Sequence, residues 1–182
     1  MLVRKALLFA LFAHGEQKRK DGRPYIYHPV EVAMDLARSG ADDTLIAAGY
    51  LHDTIEDAFI TREQLEAAFN KEIADLVARD SEDKTKSWEE RKQTMLDELR
   101  KPGDRNRKML MCADKLSNLR SIKEGLDESG EESWKRYKRG RDKQAWLYRE
   151  TVDALSSLEG LPMYEELKSL TEEIFDDKKE QS

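Results

Sequence analysis

Cysteine is almost missing from this chain: Cys112 is the only one in 182 residues. A lone thiol makes no internal disulfide and supplies no thiolate-rich zinc site, so a chain this long must be held by its own apolar core. Histidine is scarce too, at three residues, and net charge is −6, which excludes nucleic-acid binding through overall charge. No run approaches the roughly 20 apolar residues needed to cross a bilayer. Alternating β-branched stretches, internal repeats, a Gly-rich phosphate loop and a GxSxG nucleophile turn are all absent. Arg4-Lys5 followed by the apolar stretch Ala6 to Ala13 imitates a secretory signal, but the stretch is short, lacks an A-x-A-like site and reads as a first core helix. The expectation is a single cytoplasmic domain with neither nucleic-acid nor membrane partner.

What is present has helical periodicity. Candidate helices run from Val3 to Ala13, Pro29 to Arg38, Asp43 to Asp57, Thr61 to Phe69, Lys71 to Arg79, Ser87 to Arg100, Arg105 to Glu124, Trp134 to Ser157 and Met163 to Phe175. Thr61 with Gln64 and Ser87 with Glu90 have capping-box form, while Gly40, Pro102-Gly103 and Gly125 punctuate helix ends. The fold class is all-α, a single-domain helical bundle. Residues 1–160 form the main body, and 161–182 a last helix with a charged tail that frays. The polar stretch Asp80 to Lys86 reads as a lid-like connection.

The informative residues are His28, the run His52-Asp53-Thr54-Ile55-Glu56-Asp57, and Asp114 with Asn118. At 3.6 residues per turn His52 and Glu56 share a face, as do Asp53 and Asp57, so one helix presents a His-Asp pair and two more carboxylates a turn later. Leu45 to Leu51 ahead of them is mostly apolar, and ionisable groups emerging from a buried helix need partners. Two imidazoles and two carboxylates form a mixed nitrogen and oxygen set suited to Mn²⁺, Fe²⁺ or Zn²⁺. An ion so held acidifies water and polarises a phosphoryl oxygen, and carboxylates one turn on orient or deprotonate that water. A His-Asp dipeptide by itself equally describes an ordinary hydrogen-bonded pair. Asp114 and Asn118, at i and i+4, face one pocket, or Asp114 merely pairs with a nearby cation. The Gly- and Pro-marked loop before His28 carries Arg19 and Lys20, suited to a phosphate. Lys135 to Lys143 is a basic run, read either as a solvated helix face or as a phosphate-attracting surface. His14 reads as a packing or hydrogen-bonding residue.

Three ordered stretches carry a resemblance: Ala13-His14-Gly15-Glu16-Gln17 through Tyr25-Ile26-Tyr27-His28-Pro29, then Ala47-Ala48-Gly49-Tyr50-Leu51-His52-Asp53-Thr54-Ile55-Glu56-Asp57, then Ala113-Asp114-Lys115-Leu116-Ser117-Asn118-Leu119-Arg120. With Lys84 and Ser87-Trp88-Glu89-Glu90-Arg91-Lys92, the chain resembles, over most of residues 6 to 155, the HD-domain phosphohydrolases, and among them the RelA/SpoT-type group that removes the 3′-pyrophosphate from (p)ppGpp. The resemblance implies one divalent ion, Mn²⁺, on His28, His52, Asp53 and Asp114. It assigns Glu56 and Asp57 to water activation, Arg19 and Lys20 to substrate phosphate or base, and Asn118 to the nucleotide. Lys143 and Tyr148, in the less similar region after Gly125, are candidates for the far side of the pocket or, equally, parts of an amphipathic helix with Trp146 in the core. No synthetase-length region follows, so the chain looks like a stand-alone hydrolase. Such members also act on other nucleotides such as NADPH, and a pocket retained without catalysis would make a nucleotide-sensing module.

Overall fold

The structure is a computed structural model and describes residues 1–19, 21–80 and 85–176. In chain order its helices are α1 (Leu2–His14), α2 (Tyr27–Arg38), α3 (Asp43–Leu51), α4 (Thr54–Asp57), α5 (Arg62–Ala68), α6 (Lys71–Asp80), α7 (Trp88–Arg100), α8 (Arg105–Ser129), α9 (Gly140–Ala154) and α10 (Pro162–Phe175). Short 3₁₀ turns occupy Gly130–Arg136 and Ser156–Leu158. Among the described residues there is no strand, only an isolated bridge between Lys18 and Pro24. No helix among them is long and apolar enough to cross a membrane.

Helix α3 is the centre. Asp42 starts it by accepting from the Leu45 amide at 2.9 Å, and Leu45, Ala47, Ala48, Gly49 and Leu51 are buried. Such all-round burial needs neighbours on several sides, and α1, α2 and α6 provide them. Small residues set the spacing. Helix α1 turns Ala6, Ala10 and His14 inward at intervals of four, and a Cβ at Gly49 would stand 2.7 Å from Leu36 Cδ1 and 3.2 Å from Ala33 Cα. Only glycine lets α2 and α3 approach this closely. Helix α8, with 25 residues and so about 37 Å long, is the spine on which α2 and α10 pack, while α9 packs on α7 and α10. Arg120 of α8 ties the assembly with hydrogen bonds to buried Asp35 of α2 at 2.6 Å and to Glu166 of α10 at 2.7 Å.

Both capping boxes form as their sequence patterns require. Three helix boundaries differ from expectation. The stretch from Asp43 to Asp57 is two helices with a turn at His52-Asp53, because side chains capture the carbonyls that the next amides would use: His52 Nδ1 takes Gly49 O at 2.9 Å and the Thr54 hydroxyl takes Leu51 O at 2.6 Å. Gly125 does not end α8, which runs on to Ser129 and packs against the following turn there, with Ser133 Cβ 3.5 Å from the Gly125 Cβ position. The expected helix from Trp134 to Ser157 divides into a 3₁₀ turn, α9 and a second 3₁₀ turn, with Gly140 at φ +68° opening α9. Lys20, Lys84, most of the lid-like stretch and the charged tail after Asp176 lie outside the described residues.

Candidate metal centre and its two cavities

Four donors from three separate elements converge. His28 comes from the first turn of α2, His52 and Asp53 from the turn that breaks α3 from α4, and Asp114 from the middle of α8. The two Nε2 atoms are 3.1 Å apart. Asp53 Oδ2 is 3.3 Å from His28 Nε2 and 3.1 Å from His52 Nε2; Asp114 Oδ1 is 3.2 and 3.7 Å from the same atoms. The ligand atoms of His28, His52 and Asp114 all lie within 4.8 Å of one another. An ion with bonds of about 2.0–2.2 Å sets adjacent donors about 3 to 3.6 Å apart, so the spacing fits one ion among these groups.

Hydrogen bonding accounts for the Nδ1 atom of each imidazole in turn. A carbonyl only accepts, so His52 donates from Nδ1 to Gly49 O and its neutral ring has a bare Nε2. Ser117 gives its hydroxyl proton to Glu31 at 2.6 Å and accepts from His28 Nδ1 at 2.9 Å, which leaves His28 Nε2 bare as well. Two lone pairs and two carboxylates then face each other, an arrangement that a proton or a metal ion must bridge. Burial works against charge on His52, but the Asp53 and Asp114 carboxylates overcome it and hold the imidazole well above its ordinary value. Against the same burial penalty, His52 and His28 hold Asp53 well below the usual carboxylate range, and Lys115 and the two imidazoles do so for Asp114.

Tyr25 was not singled out as a site residue, yet its hydroxyl reaches Asp53 Oδ2 at 2.7 Å and Asp57 Oδ2 at 3.0 Å. Burial and those two charges raise its pKa far above the ordinary phenol value, so Tyr25 stays a donor and links a candidate ligand to a candidate base. Asp57 is also fixed through its backbone carbonyl, which accepts from Gln17 Nε2 at 2.6 Å; Gln17 in turn holds the buried ring of His14 at 2.9 Å. Asp114 accepts from Asn118 Nδ2 and from Lys115 Nζ, both at 2.7 Å. Both sequence readings of Asp114, facing a pocket and pairing with a cation, hold together. Tyr25 and Ser117 lie within the quoted motifs and Glu31 just beyond one, but nothing local marks their roles, which depend on other helices.

The donors open into a cavity of about 360 Å³ that also receives Glu56 and Asp57 and is edged by Arg91, Lys92 and Arg107. A second, of about 400 Å³, shares Tyr25, Asp57, Lys92, Lys115 and Asn118 with it and continues to Trp88, Tyr137 and Tyr148. Both volumes suit small-molecule ligands. Arg19 lies in the second cavity and bonds Asn118 Oδ1 at 3.2 Å and Ser121 Oγ at 3.0 Å. Tyr148 lines it as a buried ring stacked on Phe175. Lys143 does not reach either cavity: its ammonium lies outward, 3.8 Å from Glu89, and Gln144 takes the wall position instead. One helical residue turns the side chain by about 100°, which separates the two.

A helical scaffold that gathers two imidazoles and two carboxylates from distant segments beside further carboxylates defines a class of metal-competent helical proteins. The HD domain family model matches residues 6–139, and the chain belongs to the HD-domain family. Among curated relatives, a probable guanosine-3′,5′-bis(diphosphate) 3′-pyrophosphohydrolase of Synechocystis is 51% identical over 76 residues, covering 42% of this chain and 10% of that protein. A GTP pyrophosphokinase rsh of Brucella ovis is 32% identical over 178 residues, 95% of this chain and 22% of that protein. The chain thus spans at most about a fifth of these two relatives. Among solved structures, lmo0812 from Listeria monocytogenes is 38% identical with a TM-score of 0.77, covering 82% of this chain and 99% of that one. A metazoan ortholog of SpoT, described as hydrolyzing ppGpp, shares the fold at a TM-score of 0.80, with 24% identity and 94% coverage of both chains.

Proposed function

We propose that this chain is a metal-dependent phosphohydrolase of purine nucleotides, that it removes the 3′-pyrophosphate of (p)ppGpp, and that Mn²⁺ is its ion on His28, His52, Asp53 and Asp114. The observation that carries the reading is the pair of bare Nε2 atoms 3.1 Å apart with carboxylates on both sides. The name of the Synechocystis relative, a probable guanosine-3′,5′-bis(diphosphate) 3′-pyrophosphohydrolase, suggests the substrate. A single, buried cysteine, which can make no internal disulfide, accords with a cytoplasmic setting.

Held by His28, His52, Asp53 and Asp114, a bound divalent ion would supply Lewis-acid polarisation of a phosphoryl oxygen and a lowered pKa for water. Asp57, held by Tyr25 and Gln17, presents a fixed carboxylate oxygen to accept a proton from the attacking water, and Glu56 in the same cavity orients that water. Asn118 keeps Asp114 in place and transmits the position of Arg19 to it. The aromatic second cavity takes the nucleoside, with Tyr137 and Tyr148 on its wall.

The test is to incubate Mn²⁺-loaded protein with ppGpp and with other phosphorylated nucleotides, NADPH among them, and to assay pyrophosphate and orthophosphate. Pyrophosphate and GDP from ppGpp are the expected products. Intact ppGpp beside orthophosphate from another nucleotide would replace the alarmone by that substrate. Nucleotide binding without turnover would reduce the chain to a sensing module.

A further inference from the structure

The basic run from Lys135 to Lys143 divides cleanly in the structure. Lys135 pairs with Glu132, Arg139 and Lys143 approach Glu89 at 3.6 and 3.8 Å, and Arg141 donates to Phe175 O at 3.3 Å. Lys138 is exposed and lines neither cavity. Arg136 alone among these cations lines the second cavity, and it has no carboxylate partner among the described residues. Its guanidinium nitrogen Nη1 lies 3.6 Å from the Gly125 Cβ position, in van der Waals reach of α8.

The second cavity is graded from dry to wet. Its inner wall has Ile122, Leu147 and Tyr148, all buried, with the amides of Asn118 and Gln144. Its outer rim has Arg19, half-buried, and Arg136, exposed, both lining the same cavity as Tyr137. The charges of Arg19 and Arg136 both act on the Tyr137 phenol, opposing the rise that burial imposes. Two acids also line this cavity: Asp21, which Arg23 engages at 2.7 Å and which interacts electrostatically with Arg19 as well, and Asp57, whose carboxylate accepts from Tyr25. A planar base fits the dry end, whereas a phosphate suits two guanidiniums that keep part of their hydration.

We infer that Arg136, with Arg19, forms an anion clamp at the rim of the second cavity that takes the phosphate group not being cleaved, selecting nucleotides phosphorylated at both ends. The inference rests on the reading of the chain as a hydrolase of a 3′-phosphorylated nucleotide, and it adds which part of the substrate lies away from the ion. On this reading Arg136 is the substrate-binding member of the basic run, Lys135, Arg139, Arg141 and Lys143 make structural contacts, and Lys138 is solvated.

The test compares ppGpp with guanosine 3′-diphosphate, which lacks the 5′-phosphates, on Mn²⁺-loaded wild type, Arg136→Ala, Arg136→Lys and Lys138→Ala. Arg136→Ala should lower kcat/KM for ppGpp about tenfold or more, chiefly through KM, as expected for one charge-assisted hydrogen bond. It should change the value for guanosine 3′-diphosphate less than about twofold, with partial recovery in Arg136→Lys and no change in Lys138→Ala. Calorimetric binding of GDP and of guanosine gives a readout free of turnover: Arg136→Ala should weaken GDP and leave guanosine unchanged. Equal losses on both members of either pair, or none, would overturn the clamp. If wild type leaves ppGpp intact, the hydrolase reading falls, and the GDP and guanosine titrations alone decide on the clamp.

Discussion

Nε2 of His28 faces Nε2 of His52 across 3.1 Å although each ring has committed its Nδ1 to another partner, Ser117 Oγ in one case and Gly49 O in the other. Neutral imidazoles so oriented repel through their lone pairs, and a shared cation turns the contact into a binding site. The relationship depends on α2 and α3 lying close, which in turn depends on Gly49.

Divalent ion binding is the first consequence. His52→Ala, Asp114→Ala or both should reduce Mn²⁺ content of the purified protein to a small fraction of wild type, since the only other histidine, His14, bonds Gln17 and stacks near Tyr25. Elemental analysis that found full occupancy in the double variant would remove the metal assignment.

Proton release should accompany uptake. Without an ion, His52 is held protonated well above its ordinary value, so metal must displace that proton and affinity should rise with pH until the raised pKa is passed, by up to about tenfold per unit for one proton. The metal-free fold should have the opposite sign at this group: a protonated His52 would contribute stability below the ordinary histidine value, and the contribution would be lost as pH rises through the raised one. Mn²⁺ titrations at pH 6, 7 and 8 with equal affinity and no acidification would contradict this.

Catalysis should separate from metal binding at the next turn. Glu56→Gln or Asp57→Asn should lower turnover about 10²-fold or more with metal content near normal. Tyr25→Phe removes the donor shared by Asp53 and Asp57 and should lower kcat while KM changes little. Unchanged kcat in all three would mean that the ion activates water unaided.

Gly49→Ala probes the helix spacing. Its Cβ meets backbone of Ala33 as well as Leu36, so α2 must shift, at about 1–3 kcal/mol for such overpacking. Denaturant unfolding should show that loss, and Mn²⁺ affinity should fall with it because His28 moves with α2. Wild-type stability and affinity together would show that the close approach is not needed.

Much of this molecule was legible along the chain because the relevant physics is local. Helix periodicity and the capping boxes at Thr61 and Ser87 follow from residues within a turn or two of each other, whereas the candidate donors His28, the pair His52 and Asp53, and Asp114 lie far apart and form a set along the chain only through the family resemblance. The break at His52-Asp53 escaped notice because the captured carbonyls of Gly49 and Leu51 leave no mark in hydrophobic pattern. Tertiary packing decided the rest. It brought Ser117 to His28 and Tyr25 to Asp57, and it separated Arg136, on a cavity wall, from Lys143, paired with Glu89. Those contacts join residues far apart in sequence, and side chains that read alike as a basic run acquire different roles only when neighbouring helices fix where each one points.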